Sequence, residues 1–451
     1  MIGKKEGKMK TFRSLIRDLS PFQLILLGFA AVILLGMLLL MLPFSVQGPD
    51  HATWDEALFT SASAVCVTGL VVRDTALFWS PFGQAVILIL IQIGGLGIAA
   101  AFSVLMLLAG GRMTLRQRST LQEALSAPQL GGVVRFARLI VLTTLAAEGL
   151  GALLMLPSFC RLYGPSGIWM AVFHSVSAFC NAGFDVMGAQ TGAFSSMTGV
   201  PGALILSVLM LLIIAGGIGF LTWEDLFTHG LRLSRYRIQS KVSLTAAAVL
   251  IVLPAAYFFF SDFSGLPAGE RVLSSLFQAV TPRTAGFNSA EIGGMTQAGR
   301  AVIIVLMLIG GSSGSTAGGM KTSTAAVLAA NTAAVFRRRR DLQLFGRRVE
   351  EQTVRQASTL VLLYPLLALT GALLLCAAEG LTFETCFFET VSAIGTVGLS
   401  LGITPALGIF SRLVLILLMF FGRVGGLTVL YAVGSRSLEV SRFPEEKIAV
   451  G

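Results

Sequence analysis

The sequence predicts an all-α polytopic membrane protein of four tandem helix–pore-helix–helix repeats, with eight spans and four re-entrant half-helices around one central pore. Three observations predict it. The chain is too apolar to coat itself in water, its apolar runs are joined by alternately basic and acidic connections, and a half-helix ending in a glycine turn recurs four times. Of 451 residues, 55% are hydrophobic and 12% charged, with a mean hydropathy of +0.82. A soluble domain carries about 25% charged residues. Lipid is the solvent this composition fits.

The net charge of +10 is distributed by topology. Six basic residues precede the first apolar run, five lie between Arg112 and Arg138, and four between Arg232 and Lys241. Seven more fall between Arg337 and Arg355, and three after Gly434. The intervening connections are mostly acidic, with Asp50, Asp55 and Glu56, then Asp262 and Glu270, then Glu379 and Glu384. Basic loops stay in the cytoplasm, so both termini are expected inside a bacterial plasma membrane and the number of crossings is even. No nucleic-acid partner is expected. The five cysteines have no paired spacing and read as small buried hydrophobes.

A hydrocarbon core of about 30 Å needs roughly 20 apolar residues of helix. After a cytosolic basic N-terminus (residues 1–21), such runs occur near residues 22–42, 82–109, 136–157, 203–222, 242–260, 301–336, 358–378 and 411–433. Between the members of each pair lies a segment too short to span and too apolar for an ordinary loop, at residues 54–70, 168–184, 272–287 and 383–399. Each carries an aromatic half-helix and then a small-residue turn: Phe59 to Gly69, Phe173 to Gly183, Phe277 to Gly286, Phe388 to Gly398. The separation is ten residues in three copies and nine in the third, and the glycines recur 114, 103 and 112 residues apart. A second glycine cluster follows inside each even span, at Gly94, Gly216, Gly310 and Gly425. The repeats divide the chain into residues 22–111, 112–230, 231–340 and 341–434, leaving a cytosolic tail of 435–451.

Irregular backbone at membrane depth is tolerated only where it is buried in protein or lines water, so four such turns on one axis imply a hydrated path. A glycine there lets carbonyl oxygens approach the axis, and rings of carbonyls replace the hydration shell of an alkali cation. The predicted filter is Val67, Thr68 and Gly69; Asn181, Ala182 and Gly183; Thr284, Ala285 and Gly286; Thr396, Val397 and Gly398. These segments hold no carboxylate, which suits a monovalent cation better than calcium or magnesium. Arg283 is expected to point backward and bond carbonyls behind the filter. His174 reads as a packed core residue.

The four turns, above all Thr281-Pro282-Arg283-Thr284-Ala285-Gly286-Phe287 and the run from Gly310 to Thr322, resemble the Trk/Ktr/HKT superfamily of potassium transporters. The resemblance extends from about residue 22 to 434, and within the superfamily it is greatest to the membrane subunit of the bacterial Ktr system. Trk-type members carry an extra N-terminal pair of spans, whereas here the first repeat begins almost at once. Sodium-selective plant members often have serine at the first filter glycine, so four glycines favour potassium. The resemblance implies a homodimer with one pore per subunit. It also implies a separate cytosolic ring that binds nucleotide, with no cofactor in this chain, and sodium as a possible activator. No cytosolic segment here is long enough for a nucleotide-binding domain, which agrees with that expectation.

The sixth span is expected to be broken. Residues 301–309 are apolar, whereas Gly310, Gly311, Ser312, Ser313, Gly314, Ser315, Thr316, Ala317, Gly318 and Gly319 are nearly all small. An interrupted span is the best sequence pointer to a transporter site. The resemblance implies an intramembrane loop that obstructs the pore and moves on activation. Lys321 ends this loop, either bringing charge to the cavity or marking its edge. Arg423 lies mid-span, where insertion costs roughly 2.5–3.5 kcal/mol, so it should face protein or water. It is expected either to hold the loop through carbonyls or to pair with Glu148. An enzyme would need acids, bases or ligands converging at one depth, which the chain does not offer. The competing reading is a coupled transporter for a different cation or a small organic solute.

Overall fold

The computed structural model describes residues 19–98, 100–101, 114–125, 132–200, 202–339 and 341–433. The expected N-terminal segment and tail lie almost wholly outside the described residues. Four long outer helices are each apolar enough to cross a membrane: α1 (Pro21–Leu40), α4 (Val133–Tyr163), α8 (Ile238–Phe260) and α12 (Glu351–Glu379). Helix α1 starts where the sequence dictates. Ser20 and Gln23 close a capping box and Pro21 takes the first turn, where no amide hydrogen is needed.

Between outer and inner helices lie four short ones: α2 (Trp54–Val65), α5 (Ser166–Phe179), α9 (Ala268–Val280) and α13 (Phe383–Gly395). At 12 to 14 residues each spans about 20 Å, roughly half of a membrane. Each packs against its own outer helix. These are the re-entrant half-helices, and the fold is the fourfold repeat expected.

The inner helices are α3 (Pro81–Leu96), α6 (Ala203–Gly217) with α7 (Phe220–His229), α10 (Gln297–Leu308) with α11 (Thr322–Phe336), and α14 (Ile409–Val424) with α15 (Gly426–Val433). Sequence reading expects a break only in the sixth span. The structure breaks all four. Helix α3 stops at Gly97, α6 and α7 meet at 93°, and α14 and α15 meet at 94°. The reason is the glycine cluster itself. Gly97, Gly219 and Gly425 take φ of +82°, +92° and +92°, which a helix cannot continue through. Three residues earlier, Gly94, Gly216 and Gly422 press against the carbonyls of Val65, Phe179 and Ile394, so close that a Cβ there would overlap the oxygen. The inner helices therefore lie directly against the last turn of the half-helices. Among the described residues, four helices cross unaided and the bent pairs make six, while α10 and α11 are too short to cross separately.

Candidate functional site

The half-helices end in the same backbone conformation. Val67, Asn181, Thr284 and Thr396 all adopt positive φ, at +56°, +57°, +70° and +50°. Two residues later Gly69, Gly183, Gly286 and Gly398 take +90°, +68°, +78° and +91°. β-Branched residues at positive φ are strained, and three of the four first positions are β-branched. A hydroxyl in the last turn of each half-helix holds the strained strand. Ser63 and Ser392 accept from the amides of Gly69 and Gly398, each at 3.1 Å. Ser177 and Thr281 donate to the carbonyls of Phe184 and Phe287 at 2.7 and 2.6 Å. Sequence reading misses these four hydroxyls, although the repeat register places them five or six residues before each glycine.

The four strands close into a ring. A Cβ added to Gly69 would stand 2.5 Å from the Ala182 carbonyl oxygen, and one on Gly183 would stand 2.6 Å from that of Ala285. The same addition to Gly286 would overlap the Val397 oxygen, and to Gly398 the Thr68 oxygen. Each glycine thus faces the carbonyl preceding the next glycine, in the order one, two, three, four, one. Eight of the twelve predicted residues make these contacts, and Val67, Asn181, Thr284 and Thr396 each stand two residues before a ring glycine. Four side-chain oxygens there, on Thr68, Asn181, Thr284 and Thr396, are buried without a hydrogen-bond partner.

On one side the ring opens to a vestibule of about 160 Å³ lined by Asp74, Asp185, Ser196, Asn288 and Ser400. Asp185, Asn288 and Ser400 each follow a ring glycine by two residues, a register the sequence holds but the sequence reading did not use. On the other side stands the loop of residues 310–321. Its Gly318 lies against the Thr396 side chain, Gly319 against the Gly395 carbonyl and Gly310 against Thr284. Asn181 Nδ2 donates to Thr316 Oγ1 at 2.9 Å, and Thr316 Oγ1 donates to the Phe179 carbonyl at 2.9 Å. Backbone bonds tie the loop to the breaks of two inner helices: Ser312 N to Gly217 O, Thr316 N to Gly216 O and Gly319 N to Gly422 O, at 2.9, 3.3 and 3.1 Å. Gly311, Ser312, Ser313, Gly314, Ser315 and Ala317 form the flank facing α7, α8 and the start of α11 rather than the ring.

Beyond the loop lies a cavity of about 600 Å³ lined in part by Lys321 and Arg423. Lys321 curls back on its own loop, donating to the carbonyls of Ala317 and Gly318 at 2.7 and 3.4 Å. Arg423 donates to the carbonyls of Thr316, Gly94 and Gly95. It makes no ion pair with Glu148, whose carboxyl is taken by Gln92 and Cys180. Arg283 departs from expectation. It is buried, but its Nε has no partner and the expected bonds to carbonyls behind the filter are not formed. The nearby carbonyls are engaged locally, since Ala285 and Gly286 amides share Thr281 O and the Thr281 hydroxyl takes Phe287 O. His174 is fully buried as expected, stacked on Phe159 and bonded to Met170 O and Val186 N.

A family model described as TrkH, cation transport protein, matches residues 20–434. The chain belongs to the TrkH family. Members of this family move ions across membranes, and the chain is a multi-pass membrane transport protein, not an enzyme. It is similar to the potassium/sodium uptake protein NtpJ of Enterococcus hirae, with 37% identity over 96% of this chain and 98% of that one. It is also similar to the Ktr system potassium uptake protein B of Bacillus subtilis, with 34% identity over 96% and 97%. The potassium transporter TrkH from Vibrio parahaemolyticus superposes with a TM-score of 0.72 over 96% of this chain and 87% of that one. At 19% identity that likeness establishes the fold.

Proposed function

We propose that this TrkH-family chain takes up potassium across a bacterial plasma membrane through the ring of carbonyls around Gly69, Gly183, Gly286 and Gly398. The observation that carries the proposal is the closed cyclic contact of those glycines with their neighbours' carbonyls. Carbonyl cages of this kind replace the water shell of an alkali cation. The C-terminal ends of four half-helices converge there, adding negative dipole potential. The loop of residues 310–321, held by Arg423, acts as the gate between ring and cavity. Both termini lie in the cytoplasm, where the basic connections collect. The names of the relatives support potassium as cargo and sodium as a second ion. A Ktr-type system, as one relative's name has it, further suggests a homodimer governed by a separate nucleotide-binding ring.

The test is growth of a potassium-uptake-deficient bacterium on limiting potassium, with the intact chain or its Gly69→Ser variant, each beside the partner ring. Rescue by the intact chain is expected, with the variant weaker and admitting more sodium. Equal rescue by both would keep potassium and remove the ring as filter. No rescue from protein present in the membrane would favour an organic solute.

The vestibule adds a pH prediction. Asp185 lies outside the helical spans, and burial pushes its carboxyl up to about 6, with Asp74 adding to the rise and the Met187 amide opposing it. A carboxyl raised this far is charged at pH 7 and mostly neutral at pH 5, so it ceases to concentrate cations as the medium acidifies. The KM for potassium should therefore rise as external pH falls from 7 to 5. Asp185→Asn should flatten that dependence, and a variant that keeps the wild-type profile would assign the effect elsewhere.

A further inference from the structure

A polar cluster lies behind the second ring strand, at positions that are apolar in the repeats compared with it below. The Glu148 side chain on α4 is buried mid-span. One carboxyl oxygen accepts from Gln92 Nε2 on α3 at 3.2 Å, and the other from Cys180 Sγ at 3.6 Å. Cys180 is fully buried and immediately precedes ring residue Asn181. A carboxyl at membrane depth is expensive and normally serves a purpose beyond folding.

The repeats themselves argue against a purely architectural role. The Ser175 hydroxyl donates to the Glu148 carbonyl as the Ser61 hydroxyl donates to that of Ile33, each at 2.6 Å. Gly151 abuts Ser175 and Leu212 as Gly36 abuts Ser61 and Leu90. Glu148 therefore occupies the place of Ile33. By the same register Gln92, two residues before Gly94, occupies the place of Ile214 and Phe420, two residues before Gly216 and Gly422. The scaffold is built at these positions with apolar side chains. Against these counterparts, the polar pair is an addition where repeats one and two meet.

Its contacts join the ring to the loop. From Glu148 the chain of contacts runs through Cys180 to Asn181, whose amide donates to Thr316. The Thr316 carbonyl accepts from Arg423, which also donates to Gly94 and Gly95, less than one turn from Gln92 on α3. Gln92 returns to Glu148. Such a closed circuit fixes the second strand from behind, and a carbonyl cage discriminates ions through the placement of its oxygens.

We propose that Glu148 and Gln92 are positioning residues that set cation discrimination by holding Cys180 and the strand Asn181-Ala182-Gly183 in register with the other three. The inference rests on the reading of that ring as the filter. The test compares Glu148→Ile, the residue repeat one carries, with Glu148→Gln, Gln92→Ile and the filter reference Gly183→Ser in cells expressing the chain with its partner. Potassium KM, maximal uptake, sodium competition and melting temperature of the purified protein are measured for each. Glu148→Ile and Gln92→Ile should each shift potassium-over-sodium preference about tenfold, with maximal uptake within about twofold, and Glu148→Gln should keep most of the preference. An unchanged preference in Glu148→Ile, beside a shifted Gly183→Ser, overturns the inference and leaves the filter standing. An unchanged preference in Gly183→Ser as well removes the filter reading itself. Maximal uptake and melting temperature falling together at constant preference would reduce the pair to scaffold. If Glu148→Ile does not accumulate, Gln92→Ile decides alone, and its unchanged preference overturns the inference.

Discussion

Gly286→Ala should cut potassium uptake by about tenfold to a hundredfold while the protein still reaches the membrane. Two costs meet at this position. The residue has φ of +78°, where a Cβ costs roughly 1–2 kcal/mol. That cost alone would not decide the matter, because Val67, Thr284 and Thr396 already tolerate positive φ with branched side chains. The second cost is contact. The new Cβ would overlap the Val397 carbonyl oxygen, and backbone must move to relieve it. Overpacking of this kind costs about 1–3 kcal/mol, equivalent to roughly tenfold to a hundredfold if it falls on the ion-bound state. Rubidium and potassium uptake at saturating and limiting concentrations measures it, with membrane protein quantified in parallel. Because the displaced oxygen belongs to the ring, sodium exclusion should fall together with potassium affinity. Wild-type affinity and selectivity in the variant would show that the four glycines do not shape the conducting site.

The repeat was legible because its signal is redundant. A half-helix, a turn glycine and a following glycine cluster recur at one spacing, so Gly69, Gly183, Gly286 and Gly398 align even though the third copy is one residue short. What the sequence reading missed follows from what periodicity does not encode. Gly94, Gly216 and Gly422 sit within apolar runs, and hydropathy does not distinguish a glycine that continues a helix from one pressed against a carbonyl. Hydropathy therefore runs straight through the breaks at Gly97, Gly219 and Gly425. The positive φ at Val67, Thr284 and Thr396 contradicts local propensity and is imposed by the half-helix hydroxyls and the ring. Side-chain chemistry alone gives Arg283 carbonyl partners, yet the carbonyls around it are satisfied by the turn. Glu148 was visible as a lone acid, but its partner Gln92 lies 56 residues away on another repeat. Only the fold brings the two together.

Arg423→Ala should raise potassium uptake by the chain reconstituted alone, several-fold in maximal rate, with the potassium KM unchanged. Arg423 clamps the loop from below, joining the Thr316 carbonyl to those of Gly94 and Gly95 across the repeat boundary. Bonds involving a charged donor contribute about 1.5–3 kcal/mol each. The loop keeps its backbone bonds to Gly217, Gly216 and Gly422, so removing the arginine should shift its position rather than unravel it. A shift of even about 3 kcal/mol changes a two-state population more than a hundredfold. Arg423 contacts none of the ring glycines or their facing carbonyls, so potassium affinity should persist while the dependence on a partner weakens. Removing a positive charge from the cavity would also lower the barrier to cations, and Arg423→Lys separates the two causes. Lysine keeps the charge but cannot reproduce the planar fork that reaches carbonyls on both sides. If the clamp is what matters, Arg423→Lys should be activated nearly as much as Arg423→Ala. If charge is what matters, it should behave like the parent chain. A loss of flux in both variants, with melting temperature lowered to match, would make Arg423 a strut of the fold and leave the loop without a clamp.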